Sequence, residues 1–126
     1  MAKRGTKKRR SQDQEEFLAL LYGGTVSPSS GAADNDSGDV RTDLELIEAK
    51  VTGEPGKPKK SISVKLEDFE KITREAYAEG KEPVLALRIY NPDSTLASPS
   101  GWIDLAVRSA DDDSFRSDVV RRFHGA

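Results

Sequence analysis

Two carboxylates and an ammonium group lie close together in residues 38–50, GDVRTDLELIEAK. Asp39 precedes an apolar segment of this stretch, and Glu48 and Lys50 follow it. Successive side chains of a strand point to opposite faces, so Glu48 and Lys50 are expected on the same face. Carboxylate oxygens are the ligands that Mg²⁺ prefers, and an ammonium group can stabilise a negatively charged phosphate. The pattern is therefore suited to metal-assisted hydrolysis of a phosphodiester.

Acidic charge is concentrated around this pattern. Residues 34–48 contain six acidic residues and a single basic one. Such a density of like charge costs stability unless a cation or another partner compensates it. Asp39, Glu48 and the backbone carbonyl of Ala49 are therefore candidate ligands of Mg²⁺, for which Mn²⁺ is an expected substitute. Lys50 is a candidate for positioning the attacking water. The alternative is an ordinary polar strand with a solvent-exposed Glu/Lys pair.

The composition of the 126-residue chain excludes several other sites. There is no cysteine and a single histidine, His124, which excludes thiolate sites and zinc sites built on several histidines. Residues 34–45 begin like an EF-hand, but Gly38 and Asp39 occupy its fifth and sixth positions, where a ligand and a glycine belong.

No apolar run reaches the length of a membrane span and no secretory signal is present, so we expect a cytoplasmic protein without a membrane partner.

Basic charge is segregated at the N-terminus. Residues 1–10 hold six of the 20 Lys and Arg residues and no acid, which leaves 14 basic and 22 acidic residues elsewhere, a net charge of −8. Blocks of like charge at a terminus are commonly disordered arms that bind polyanions. We therefore predict a flexible basic arm over residues 1–11 and a single folded domain over residues 12–126. The alternative is a tail that only increases solubility.

The spacing of apolar residues predicts an α/β (α+β) fold. The expected order is helix, strand, strand, helix, strand, strand, helix, in residues 11–24, 43–51, 61–64, 65–79, 84–90 and 101–107 and after the acidic turn at 111–113. Ser11 is the expected N-cap of the first helix, and residues 25–38 read as a loop. In the second helix Glu67 with Lys71, and Glu70 with Arg74, are expected ion pairs.

Three side chains of the last two predicted strands have expected environments. Tyr90 and Trp102 are expected to pack in the core, with stacking on nucleic-acid bases as the alternative. Asp104 is expected on a solvated face.

The acidic pattern resembles the signature of the PD-(D/E)xK nuclease superfamily, with Gly38 in place of the proline of the name. The wider arrangement resembles the Holliday junction resolvases of archaeal and phage-encoded type within that superfamily. The features that carry this resemblance span roughly residues 3–107: the basic run KKRR, a helix with Glu15 and Glu16, Gly23-Gly24, the loop Pro28-Ser29-Ser30-Gly31-Ala32, Gly38-Asp39-Val40 and Glu48-Ala49-Lys50.

The resemblance implies a restriction-endonuclease-like core, in which helices flank a central mixed β-sheet. It implies that Asp39 and Glu48 bind the metal and that Lys50 orients the water. Glu15 would complete the acidic cluster, with Glu16 as the substitute. Ser30 would approach the substrate backbone. Phosphates would be held by a set of basic residues: Lys7, Lys8, Arg9, Arg10, Lys57, Lys59 and Lys60.

The resemblance further implies a homodimer that cuts four-way or otherwise branched DNA in recombination and repair, because two symmetric strands need paired sites. A phage-encoded protein would act in the cytoplasm of the host cell. Three alternatives remain open from the sequence. These are a nuclease of the same fold acting on flaps, ends or single strands, a non-catalytic DNA-binding protein of that fold, and an acidic metal-binding or interaction domain without a nucleic-acid role.

Overall fold

A computed structural model of the chain describes residues 7–27, 39–109 and 115–120, with side chains for residues 9–27 and 39–108. Two helices and six strands follow one another: α1 (Lys7–Tyr22), β1 (Thr25–Val26), β2 (Val40–Arg41), β3 (Glu45–Thr52), α2 (Leu66–Ala78), β4 (Glu82–Tyr90), β5 (Trp102–Ser109) and β6 (Phe115–Val120). Within these described residues, neither helix is long and apolar enough to cross a membrane.

The six strands form one mixed sheet in the order β1-β2-β3-β4-β5-β6. Only β3 and β4 are parallel, with Glu48 opposite Leu85 and Lys50 opposite Leu87. The other neighbouring pairs are antiparallel. Helix α2 connects β3 to β4, as parallel neighbours require a long crossover connection. The predicted α+β fold with a central mixed sheet flanked by helices is confirmed.

The two helices cover opposite faces of the sheet. Ile47 of β3 belongs to a core cluster with Leu18 of α1, whereas the preceding residue, Leu46, packs with Ile72 and Ala76 of α2. Consecutive strand residues point to opposite faces, so β3 is covered by a helix on each side. Burial on both faces also explains the nearly continuous apolar sequence of β4, which Arg88 interrupts.

The N-terminal boundary of the first helix differs from the predicted one. Helix α1 begins at Lys7, so Ser11 lies inside it and the described part of the predicted arm is helical. Lys and Arg favour helices, and Arg9 also forms an i,i+4 ion pair with Asp13 at 3.2 Å. The basic residues at 7–10 are therefore presented on the first turn of a helix that packs on the sheet.

Two further predictions of local structure are wrong. The segment 61–64 is not a strand, and the C-terminal element at Phe115–Val120 is a strand instead of a helix. Its sequence FRSDVV favours a strand because aromatic and β-branched residues fit a pleated sheet, and it pairs antiparallel with β5. The acidic turn at 111–113 that was expected to precede it lies outside the described residues.

Asp104 is not solvated, as was expected, but lies in a buried ion pair. Its two carboxylate oxygens accept hydrogen bonds of 2.7 and 2.8 Å from Arg88, which is only 3% exposed. The guanidinium of Arg88 also stacks between Phe17 of α1 and Trp102 of β5. Trp102 and Tyr90 contact each other edge to face, with ring centroids 5.0 Å apart. The ion pair of Arg88 and Asp104 thus helps to hold α1 against the central strands.

Candidate functional site

Two hydrogen bonds hold Asp39 against strand β3. The backbone N–H of Asp39 donates to the carbonyl oxygen of Ile47, and its carboxylate Oδ2 accepts a hydrogen bond of 2.8 Å from the backbone N–H of Ala49. This second bond is possible because β2 pairs only with Leu46 and Ile47, so the edge of β3 beyond Ile47 has no partner in β2. The first candidate ligand is therefore held against the residue that separates Glu48 from Lys50.

The carbonyl oxygen of Ala49 lies on the same edge of β3. The N–H and C=O groups of one strand residue point to the same side, and the N–H of Ala49 points to Asp39. The backbone thus places this third candidate ligand beside the first one, as the sequence pattern requires. These oxygens are hard donors, which suit Mg²⁺ or Mn²⁺ and not a soft cation.

Glu48 extends from the face of β3 that α2 covers. Its carboxylate lies 3.9 Å from the ammonium group of Lys71, and the Glu48 side chain is 22% exposed. Lys71 also contacts Glu75, its i,i+4 neighbour, at 3.3 Å. The predicted ion pair of Lys71 with Glu67 is wrong, because Glu67 pairs with Lys65 at 3.8 Å. Lys71 is therefore turned toward the candidate site.

Glu48 is strongly perturbed. The pKa of its carboxyl group is raised from 4.5 to about 7, chiefly by burial, then by the negative charge of Asp39 and to a smaller degree by that of Glu75. Lys71 and Lys50 act in the opposite direction and lower this pKa. The direction of the net shift means that burial and the neighbouring carboxylates outweigh the two ammonium groups. A further positive charge near Glu48 would relieve this cost.

Lys50 shares the α2 face of β3 with Glu48. Its ammonium group lies 3.6 Å from Oδ1 of Asp68, in the first turn of α2. The other carboxylate oxygen of Asp68 accepts a hydrogen bond of 3.0 Å from the backbone N–H of Lys65, just before that helix. Asp68 thus binds the helix N-terminus and Lys50 at once, which fixes where the lysine lies.

Helix α2 contributes three charged residues that the sequence analysis did not assign to the site: Asp68, Lys71 and Glu75. Positions 68, 71 and 75 lie on one side of a helix, beside the buried Ile72. The sequence shows this helical spacing, but it does not show how α2 packs on β3, which places the three residues near Glu48 and Lys50. Burial lowers the pKa of Lys71, but the carboxylates of Glu48 and Glu75 more than offset this and raise it. One oxygen of Glu75, Oε1, is buried without a hydrogen-bond partner.

Helix α1 contacts the same strands through a residue that the sequence analysis also missed. The side-chain amide of Gln14 donates hydrogen bonds to the backbone carbonyls of Lys50, at 2.9 Å, and Ala86, at 3.3 Å. Gln14 is 2% exposed, so this amide joins β3, β4 and α1 inside the protein. No sequence motif marks such a residue, since only the packing of α1 shows that its amide meets two carbonyls.

The two helix glutamates have different environments. Glu15 is buried and Glu16 is exposed, so Glu15 is the one that faces the interior. The charges that act on Glu48 come from Asp39, Lys71, Lys50 and Glu75, and Glu15 is not among them. Within the described part of the chain, no three His, Cys, Asp or Glu side chains form a group that could hold a metal ion. Asp39 and Glu48 are thus close enough to interact electrostatically, and the role of Glu15 in the acidic cluster stays a prediction.

The predicted phosphate-binding residues lie in two places. Lys7 to Arg10 form the first turn of α1, where Arg9 pairs with Asp13 and Arg10 lies 3.9 Å from Glu54, while the side chains of Lys7 and Lys8 are outside the described residues. The second set lies in the exposed segment between β3 and α2: Lys57, Lys59 and Lys60. Ser30 lies outside the described residues.

Comparisons with known proteins give no relative of this chain: no family model, no curated protein and no solved structure matches it.

Proposed function

We propose that the protein is a metal-dependent endonuclease that hydrolyses phosphodiesters in branched DNA, in the manner of a Holliday junction resolvase. The observation that carries this proposal is the hydrogen bond from the Ala49 amide to Asp39. It holds one carboxylate close enough to Glu48 to raise the pKa of that second carboxyl group. Two carboxylates held against their own repulsion, beside a lysine of the same strand, are an arrangement that a bound cation stabilises.

The oxygens of this site fit a Mg²⁺ ion. Asp39, Glu48 and the Ala49 carbonyl would hold the ion, and Mn²⁺ would substitute for it. When bound, the ion supplies positive charge to the phosphate and activates a water molecule for attack on phosphorus. Glu48 must give up its proton to act as a ligand, and the cost of its charged form makes that step sensitive to the local charge.

The lysine of the strand has a separate task. Lys50 lies on the same face as Glu48, with its ammonium group held by Asp68 at a distance of 3.6 Å. From there it can hold the attacking water or a phosphate oxygen, and its charge offsets the negative charge that grows in the transition state. We assign Asp68 the role of a positioning residue, because its contacts are with the ammonium group of Lys50 and the backbone N–H of Lys65. Gln14 supports the same strand from its other side.

Branched DNA and a homodimer are the substrate and assembly that we propose. The sequence contains no base-reading motif, so recognition through backbone phosphates and shape is expected. The basic first turn of α1 and the segment carrying Lys57, Lys59 and Lys60 would supply these contacts. A two-fold dimer would place two sites on the two symmetric strands of a four-way junction.

The direct test is a cleavage assay with a synthetic four-way junction, a linear duplex, a flap and a single strand, each with Mg²⁺. We expect the wild type to cut the junction, and Asp39→Asn, Glu48→Gln and Lys50→Ala to bind it without cutting. Asp43→Asn is the matched control, because Asp43 is an exposed carboxylate in the turn before β3. Equal cleavage of the linear duplex would contradict the preference for branches. Full activity of the Asp39 variant would contradict the site.

A non-catalytic DNA-binding domain of this fold is the second candidate, and one observation favours it. Both charged residues of the ExK pattern already have partners on α2, since Glu48 faces Lys71 and Lys50 faces Asp68. Ion pairs of this kind also occur in purely structural networks. In that case the wild type would bind the junction but leave it intact with Mg²⁺ and with Mn²⁺.

A further inference from the structure

An open cavity of about 530 Å³ adjoins the candidate site at Lys50. Six polar residues are among those that line it: Ser11, Lys50, Thr52, Lys59, Ser61 and Ser63. Two of these carry an ammonium group and four carry a hydroxyl group, and no carboxylate belongs to the described lining. Lysine and hydroxyl side chains are the groups that proteins use to bind phosphate oxygens and sugars of nucleic acids. The chemistry of the lining thus fits an anion and not a cation.

The cavity lies at the carboxyl ends of the parallel strands. Thr52 is the last residue of β3, and the backbone N–H of Lys59 donates to the carbonyl of Tyr90, the last residue of β4. The side chain of Asn91 donates a hydrogen bond of 2.9 Å to the carbonyl of Lys59. Ligands of open α/β sheets bind outside these strand ends, where the backbone leaves a crevice. The segment that carries Lys59 is thus fixed across such a crevice.

The turn that leads into this segment requires close contact with β4. Gly53 has a φ of +86°, and a Cβ atom at this position would lie 2.8 Å from the carbonyl oxygen of Tyr90. Only glycine tolerates both the backbone conformation and this approach. One wall of the cavity is therefore held against β4 by backbone contacts on both sides of residues 54–58. A wall that is ordered before binding loses less entropy when a ligand arrives.

We infer that this cavity, named here the β3-end groove, binds the sugar-phosphate backbone of the cut DNA strand next to the phosphate held at Lys50. The inference rests on the proposed function, because the groove and the candidate site share Lys50. It adds the direction in which the strand leaves the site: past Thr52, between the first turns of α1 and the segment with Ser61 and Ser63. Basic residues 7–10 immediately precede Ser11 in α1.

Lys50, which lines the β3-end groove, has an acidic neighbour that limits its contribution to phosphate binding. The ammonium group of Lys50 lies 3.6 Å from Asp68, so part of its charge is already compensated. Lys59 and the hydroxyl groups must then provide most of the phosphate binding away from the cut. Lys59→Gln is accordingly expected to lower the slope of log affinity against log salt by about 0.9, the value for one lost phosphate contact. Lys65→Gln is the control, because Lys65 is exposed and pairs with Glu67.

Charge reversal gives a sharper test of the groove. We expect Ser63→Glu to weaken junction binding by at least about tenfold without divalent cations, since a carboxylate would face the phosphates. Ser100→Glu adds the same charge in an exposed turn and is expected to change the affinity by less than about twofold. Fluorescence anisotropy with a labelled junction measures both. Equal affinities of the two variants would overturn the groove, whereas junction cleavage by the wild type would still support the proposed function.

The position of the strand can be mapped because the chain has no cysteine. Ser61→Cys introduces a single thiol at the groove, and Ser100→Cys introduces one outside it. With a photo-crosslinker on the thiol, the first variant should attach to nucleotides within a few positions of the cut, all on one side. Crosslinks scattered over the junction arms, or equal to those of the Ser100 variant, would overturn the inference. A wild type that neither binds nor cuts any junction would overturn the proposed function and the groove together.

Discussion

Lys71 of α2 and Glu48 of β3 form an ion pair across the candidate site, with 3.9 Å between the ammonium nitrogen and the nearer carboxylate oxygen. The same ammonium group lies 3.3 Å from Glu75. It thus provides positive charge where a bound divalent cation would provide it. An internal cation of this kind must compete with an external one, because both are stabilised by the same carboxylate. Lys71 would therefore compete with a divalent cation bound at the proposed site.

Removing the charge of Lys71 is expected to tighten metal binding. In Lys71→Gln the carboxylates of Glu48 and Glu75 lose their counter-ion, so we expect the affinity for Mg²⁺ or Mn²⁺ to rise several-fold. Isothermal titration calorimetry with the metal alone measures this without any DNA. Lys81→Gln is the matched control, because Lys81 lies just beyond α2 and pairs with Glu79 at 3.7 Å. Weaker binding by Lys71→Gln would show that Lys71 supports the ion instead of opposing it.

The stability of the protein should depend on pH through Glu48. Its pKa is about 7 in the folded protein and close to 4.5 when unfolded. The unfolded chain therefore releases this proton first, and the contribution of Glu48 to stability falls as the pH rises from about 4.5 to about 7. A shift of this size corresponds to at most about 3 kcal/mol. Glu48→Gln lacks this titration, so its stability relative to the wild type should increase between pH 4.5 and pH 8.

Urea unfolding at several pH values, with a chelator present, measures this difference. Glu70→Gln is the control, because Glu70 is an exposed residue of α2. The comparison across pH isolates the titration from the constant effect of losing the pair with Lys71. A stability difference between Glu48→Gln and the wild type that stays flat over this range would contradict the raised pKa.

Asp39 should control the ionisation of Glu48. Burial is the larger cause of the raised pKa of Glu48, and the charge of Asp39 is the second. In Asp39→Asn the amide oxygen can still accept the hydrogen bond of Ala49, but the negative charge is gone. We therefore expect the pKa of Glu48 to fall below 7 and to remain above 4.5. Carboxyl ¹³C NMR titration without metal reads this directly. If the pKa of Glu48 were unchanged in Asp39→Asn and equal to that in the control Asp43→Asn, the charge of Asp39 would have no effect on Glu48, which would contradict this prediction.

The buried pair of Arg88 and Asp104 should matter for stability and not for chemistry. Arg88→Met leaves the carboxylate of Asp104 buried and unpaired, which is expected to cost about 3–5 kcal/mol. Adding Asp104→Leu to that variant should restore most of the loss. The exposed pair of Arg41 with Glu79, at 2.7 Å, is the control, and Arg41→Gln should cost less than about 1 kcal/mol. Equal costs for both single variants in urea unfolding would contradict this account.

The sequence predicts the elements with strong periodicity and misses those that depend on distant partners. Strand β4 and helix α2 lie within one or two residues of their predicted bounds, because a continuous apolar run and an amphipathic pattern are local signals. The predicted C-terminal helix is wrong, because the aromatic and β-branched residues of FRSDVV favour a strand and its long-range pairing with β5 stabilises that strand. The predicted start of α1 at Ser11 is late, because basic residues 7–10 belong to the helix and not to a flexible arm.

The candidate site shows the same division. The spacing of Glu48 and Lys50 correctly predicts a shared face, because strand alternation is a local rule. The contacts of Lys71 and Asp68 depend on how α2 lies over β3, and the hydrogen bond of Asp39 depends on the two-residue length of β2. These are properties of the packed chain. A sequence pattern can therefore identify candidate ligands of such a site but not the charged groups of other elements that contact them.

The shortness of β2 has one more consequence. In the described part of the chain, β2 pairs with β3 only at Leu46 and Ile47, and strand edges without a partner invite pairing with another chain and aggregation. Asp39 occupies the first amide beyond β2, that of Ala49, with a charged side chain. The carboxylate that we propose as a metal ligand would thereby also protect this edge against strand addition. We expect truncation of the Asp39 side chain to lower the solubility of the protein, which truncation of Glu48 would not do.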